Sequence, residues 1–165
     1  MNKIPILLVF IALVLSSCVK DNPKQLTKDL VKGGRWNITA FSIEEYNNPT
    51  GWQEEIVFDT LIEDAGYMEF FDDDGDFGPT YRMGNFKFKD EDKISFNWDA
   101  YGPPSSDEIP VMYFVFSKPW RDFRQNYEHK AELEIWEDDK IKLRFDLGNL
   151  GANNNHVIYK VVLVN

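Results

Sequence analysis

Residues 93–100 read Lys-Ile-Ser-Phe-Asn-Trp-Asp-Ala. Ile94, Phe96 and Trp98 fall on one side of an extended chain, and Ser95, Asn97 and Asp99 on the other. Successive side chains of a strand point to opposite faces, so this stretch is a strand with one oily and one wet face. The same period of two recurs downstream. Residues 131–137 place Ala131, Leu133 and Ile135 inward against Glu132 and Glu134. Residues 140–147 place Ile141, Leu143, Phe145 and Leu147 inward. Residues 110–117 are apolar on both faces, the pattern of a covered strand. Residues 35–44, 54–61, 66–71, 81–89 and 156–164 are further strand candidates.

Alternation over so many short segments predicts an antiparallel sheet. The connections are polar and short. Asp72-Asp73-Asp74-Gly75-Asp76 carries the Asp-Gly hairpin signal, and charged turns follow Lys89 and Glu137. Hairpins in series make a meander, and a meander of about eight strands closes into an up-and-down barrel. One helix is expected, at residues 24–32. There Leu26, Leu30 and Val31 share a face, Asn22 before Pro23 supplies the cap, and Gly33-Gly34 ends the helix. The fold class is therefore all-β, an antiparallel up-and-down barrel of about eight strands with a short N-terminal helix. At 165 residues the chain is read as one such domain, residues 24–165, behind two short leading segments.

The first of these, residues 1–17, has a positive start and an apolar run from Ile4 to Leu15. That run falls short of the roughly 20 apolar residues a spanning helix needs. It has the build of a signal peptide. Leu15-Ser16-Ser17-Cys18 resembles the lipobox of bacterial lipoproteins. The resemblance implies cleavage before Cys18 and acylation of that cysteine, the only one in the chain. More than one acyl chain gives stable anchoring. Residues 18–23 would then be a tether. The expected place is the bacterial cell envelope, anchored by lipid to the outer membrane and facing the periplasm or the surface. Lys20-Asp21 resembles a fragment of the signal that sends some Gram-negative lipoproteins to the surface.

With Cys18 lipidated, no cysteine is left for a disulfide, and the domain must hold by its core. The chain has 18 Lys and Arg against 28 Asp and Glu, a net charge of −10. That balance argues against nucleic acid, which needs a basic face. It also argues against tight binding to anionic headgroups beyond the anchor.

Gly34-Arg35-Trp36, opening the first strand just after the helix, resembles the Gly-x-Trp start of lipocalins. The layout is similar to that of the lipocalin-like lipoproteins of Gram-negative bacteria. The resemblance implies an eight-stranded barrel whose tryptophan plugs the closed end, and a small ligand in the mouth. It also implies a basic residue from the last strands covering Trp36, with Arg144 or Lys160 in that place. The Thr-Asp-Tyr turn of the family is not in the chain.

Catalytic and metal chemistry find little support. Calcium favours clustered carboxylates such as Asp72, Asp73, Asp74 and Asp76. Counted from Asp72, however, the sixth and twelfth positions of a calcium loop hold Phe77 and Met83 rather than Gly and Glu. His129 and His156 have no partner at zinc-ligand spacing and are expected at a strand edge or in a loop. No nucleophile elbow is present. Neither cofactor nor metal is expected, and a hydrolase is the least favoured reading.

Aromatic residues make up 15% of the chain and crowd residues 96–124. Trp98, Tyr101, Tyr113, Trp120, Arg121, Phe123, Arg124 and Tyr127 are the candidate ligand-binding residues. Those from Trp120 to Tyr127 lie in the loop Lys-Pro-Trp-Arg-Asp-Phe-Arg-Gln-Asn-Tyr (118–127), which mixes flat apolar faces with cations. The Gly-Pro-Pro-Ser-Ser loop (102–106) is a second candidate. The expected function is binding rather than catalysis, of a small hydrophobic or amphipathic ligand in the barrel mouth. The alternative is a packed barrel that binds a protein or glycan at its surface. An interior filled by Phe96, Trp98, Phe114 and Phe145 would favour the alternative.

Overall fold

The structure, a computed structural model, describes residues 23–47, 55–75, 78, 81–101, 111–150 and 155–165. The signal-peptide and anchor readings (1–17, Cys18, the tether to Asn22), the 102–106 loop, Asp76 and Phe77 lie outside these residues. One helix, α1 (Pro23–Gly33), precedes eight strands: β1 (Arg35–Asn47), β2 (Glu55–Asp74), β3 (Arg82–Phe88), β4 (Ile94–Tyr101), β5 (Val111–Phe116), β6 (Glu128–Trp136), β7 (Lys140–Leu150) and β8 (Asn155–Val164). Each strand pairs antiparallel with the next, and β8 pairs with β1, so the sheet closes on itself in simple meander order. The protein is a closed eight-stranded antiparallel β-barrel with one short helix, as the alternation predicts.

The first barrel end is built from local sequence. Leu26 and Leu30 on α1 are fully buried. The helix stops where Gly34 takes a left-handed φ of +67° and returns its N–H to the carbonyls of Leu30 and Val31. A side chain would strain that conformation, which glycine adopts without cost. Two residues on, the Trp36 indole N–H donates to the Leu30 carbonyl at 3.0 Å, and the ring is fully buried. A Cβ on Gly33 would stand 2.6 Å from that indole nitrogen, so the helix can lie this close only with glycine there. Arg144 and Lys160 do not cover the tryptophan. Arg144 pairs with Glu132 and Asp146, and Lys160 with Glu44. The helix carbonyl serves the indole instead.

The alternation in 93–100 is realised in full: Ile94, Phe96 and Trp98 are buried. Elsewhere bulges adjust the pattern. The candidates 54–61 and 66–71 are one strand, β2, bent at an irregularity between them. Ile38 pairs with Gly66 but Ala40 with Glu63, so Asp64 and Ala65 together stand opposite the single residue Thr39, one residue more on β2 than on β1. Asp64 has φ +47° and Gly66 φ +137°. Gly66 presses against the Lys87 carbonyl, so a side chain there would collide with backbone. A strand that bends sharply by an inserted residue keeps pairing on both sides of the bend, which is why one strand reads as two. A second shift, between Leu133 and Ile135, brings Trp136 rather than Ile135 onto the row opposite Ile141, and Trp136 packs on the core. The Asp-Gly turn is also wider than a two-residue hairpin. β2 runs to Asp74, and the Gly75 N–H bonds the Tyr81 carbonyl across the connection.

Candidate binding site at the loop end

Because the strands alternate in direction, the C-terminal ends of β1, β3, β5 and β7 lie at the end opposite α1. The interior between the two ends is filled by aromatic rings. Phe96, Trp98, Phe114 and Phe145 are at most 2% exposed. Phe70 meets Trp98 at 5.1 Å and Phe96 at 5.8 Å, Phe96 meets Phe114 at 5.5 Å, and Phe114 meets Phe145 at 5.3 Å. Offset and edge-on geometries of this kind add about 0.5–1.5 kcal/mol per pair beyond burial. The Trp98 N–H is spent on the Met83 carbonyl at 2.9 Å.

The β5–β6 loop completes the stack. Trp120 and Phe123 do not face solvent: they are 7% and 2% exposed. A tight turn exchanges two backbone bonds between Trp120 and Phe123, with Arg121 at φ +50°. This turn drives both rings into the barrel. Trp120 lies against Phe41, Phe86 and Phe88, and Phe123 against Phe116, Phe145 and Tyr159. Polar groups fasten the loop from outside. The Trp120 N–H donates to Glu91 at 2.6 Å, Arg121 reaches Glu91 at 3.7 Å, and the Tyr159 hydroxyl donates to Asp122. Burial first, then the Asp122 bond, pushes the Tyr159 phenol well above its ordinary pKa, so it remains a donor. Arg121 spreads over Phe88 at 4.8 Å and over Trp120 at 5.1 Å, covering the plug with a cation.

What the loop leaves on the surface is a recess of about 370 Å³, lined by Asp122, Arg124, Tyr127, Glu128, His129, Lys130, Asp146 and Leu147. Its three carboxylates are occupied. Asp122 holds the Tyr159 hydroxyl and Glu128 the Tyr81 hydroxyl, while Asp146 holds His156, Arg144 and the Gly148 N–H. Burial pushes the Asp146 carboxyl up, but the His156 and Gly148 bonds and the charges of His156 and Arg144 outweigh it and hold it below the usual carboxylate range. His129 is buried on β6, not at an edge or in a loop. Its Nε2 lies 3.0 Å from the Arg124 backbone nitrogen and 3.3 Å from the Arg124 carbonyl oxygen, accepting from the first or donating to the second according to its tautomer. Burial lowers its pKa most, a bond from the ring to the Arg124 carbonyl would act against it, and the Arg124 charge adds to the lowering.

Arg124 is the exception in this site. Arg35, Arg82, Arg121 and Arg144 each have a carboxylate within 4.0 Å, and among the described residues Arg124 has none. It stands 6.0 Å from the ring of Tyr127, which is 57% exposed. A second recess of about 360 Å³, beside α1, is lined in part by Asp72, Arg82 and Asp99, and there Arg82 is paired with both acids. Of the sequence candidates, then, Arg124 and Tyr127 line the loop-end recess. Trp98, Trp120 and Phe123 are core, and Arg121 caps the plug. Tyr101 is 61% exposed at the end of β4, and Tyr113 is half-buried on β5. Glu128, His129 and Asp146 are recess residues outside the sequence candidates for binding: the first two follow Tyr127 directly in the chain, and Asp146 reaches the recess from β7 through the sheet register. Among the described residues no group of three or more His, Cys, Asp or Glu is placed to hold a metal ion, and Asp72 pairs with Arg82.

The class of protein is set by its architecture, a packed antiparallel barrel. Comparison with protein-family models, with curated proteins and with solved structures returns no match.

Proposed function

We propose that this chain is a lipid-anchored envelope protein of lipocalin-like build that binds at its surface, not in its interior, and performs no chemistry on what it binds. The reading rests on one observation above all: Trp120 and Phe123 occupy the barrel mouth, while the same loop leaves Arg124 with no carboxylate within 4.0 Å among the described residues, beside an exposed Tyr127. A free guanidinium recognises a carboxylate, with two parallel hydrogen bonds available. An exposed aromatic face takes the flat side of a ring. The recess falls near the small end of ligand sites, about 300–1,000 Å³. Its polar lining fits one carboxylate-bearing sugar better than an oily molecule. The lipobox places the anchor five residues ahead of α1, a reach of at most about 18 Å. Lipidation at Cys18 would therefore hold the helix end at the bilayer and turn the recess away from it.

The test is titration of the full chain in detergent with D-glucuronate, with glucose and with acetate, read by calorimetry. Saturable binding of glucuronate is expected, weakened roughly tenfold for either control and for Arg124→Gln. Equal binding of glucose, or an unchanged affinity in the variant, would remove the site. A stoichiometric hydrophobic molecule retained through native mass spectrometry would return the interior to the role of carrier.

A further inference from the structure

β2 is 20 residues long, but its two edges are not equally used. On one edge it pairs with β1 from Glu55 to Glu69. On the other it pairs with β3 only from Gly66 to Asp74. The Lys89 N–H takes the Ala65 carbonyl, and there the ladder stops. β3 ends at Phe88, so residues 56–64 of β2 stand past the top of their neighbour. The barrel is closed by its lower rungs, while the β1–β2 ribbon rises above them with one edge that pairs with no strand among the described residues. Every second residue of such an edge presents an N–H and a C=O with no chain partner.

Natural edges are usually blunted by lysine, proline or brevity. This one runs Ile56-Val57-Phe58-Asp59-Thr60-Leu61-Ile62-Glu63, with no lysine, proline or glycine. Its register with β1 assigns the faces. Ile62 lies opposite buried Phe41 and packs on the core, so Leu61, opposite Ser42, points outward, as do Asp59 and Glu63. Leu61 is 63% exposed and Ile56 56%. Asp59 and Glu63 are exposed, and neither has an ion-pair partner among the described residues. The outer face of the free edge thus reads acid, apolar, acid at alternate positions.

We propose that this edge receives an extended peptide segment of another protein, which adds as a strand beside residues 56–63 and carries a basic-x-apolar-x-basic pattern on its outer face. Main-chain hydrogen bonds supply the affinity of such an addition, and alternate side chains supply its specificity. The basic residues fall opposite Glu63 and Asp59 and the apolar one opposite Leu61, pairs that each favour a sheet. A second copy of this chain is the poorer occupant, because antiparallel self-pairing of this strand brings its own acids together. The edge and the recess are separate sites, so neither reading depends on the other.

A labelled peptide, Thr-Lys-Thr-Leu-Thr-Lys-Thr, tests this by fluorescence anisotropy against the full chain in detergent at low salt. Three results are expected. The peptide binds, while its Glu-x-Leu-x-Glu counterpart does not. Methylation of alternate amide nitrogens along one edge of the peptide lowers affinity roughly tenfold or more, since it removes the ladder and leaves the charges. Asp59→Lys with Glu63→Lys, both at exposed positions, reverses the preference to the acidic peptide. Equal binding of plain and both singly edge-methylated peptides would overturn the proposal by reducing it to charge attraction. Absence of binding would overturn it too. Concentration-dependent dimerisation of the chain that blocks the peptide would hand the edge to a second copy.

Discussion

Both ends of this barrel are closed by a tryptophan, and the two closures differ in what holds the indole. At the helix end Trp36 is fully buried and gives its N–H to the Leu30 carbonyl, six residues back in the chain. At the loop end Trp120 is 7% exposed and gives its N–H to the Glu91 carboxylate, from a different connection. The first closure is a helix, a glycine and a strand start, all contiguous. The second exists only once the β3–β4 and β5–β6 connections have met. The flanking recesses differ in the same sense. Arg82 beside the helix is neutralised by Asp72 and Asp99, and Arg124 beside the loop has no carboxylate within 4.0 Å among the described residues. This barrel closes one end with local structure and the other with contacts between distant connections.

Trp36→Ala should have the largest effect, a loss of about 4 kcal/mol of stability, because a fully buried ring leaves a cavity and the helix loses its partner. Urea denaturation followed by far-UV circular dichroism measures it. A loss below that of the loop-end variant would reverse the ranking of the two ends.

Trp120→Ala should cost less, about 3 kcal/mol, since its site borders solvent and can relax. It should also open the mouth, so the folded variant takes up 1-anilinonaphthalene-8-sulfonate where the wild type does not. A variant that melts as one with the wild type and stays dark to the dye would mean that the loop is ornament rather than plug.

The smallest effect is a pH slope that belongs to the loop end. Burial holds the folded-state pKa of His129 below that of the unfolded chain, about 6.5. As pH falls through that value the unfolded chain takes up the proton first, so stability drops towards the folded-state pKa and is recovered above about 6.5. His129→Gln removes this component. Melting temperatures from pH 7.5 to 5.5 should therefore fall less steeply in the variant, and parallel curves would show that the imidazole is not held neutral.

Much of this architecture is legible in order along the chain. Period-two runs such as 93–100 and 140–147 become β4 and β7 because one buried face selects one register. The Leu26–Leu30 face, Gly34 and Trp36 announce the closed end for the same reason: their partners are within a dozen residues. The β2 bend is not legible, since the one-residue bulge at Asp64-Ala65 looks like a turn until β1 is seen pairing on both sides of it. The 118–127 loop is half legible. Its aromatics mark it as unusual, and their cost in water points equally to a ligand or to the core.

The linear chain by itself determined the barrel, its strand order and its helix-closed end, because alternation and helix-stop signals act between near neighbours and need nothing remote. Only the tertiary structure decided that Trp120 and Phe123 turn inward, and that, among the described residues, Arg124 is the arginine left without a carboxylate and residues 56–64 stand beyond β3 with an unpaired edge. Each of these depends on which distant groups arrive at the same place, and that is set by the register of a closed sheet rather than by any local run of residues.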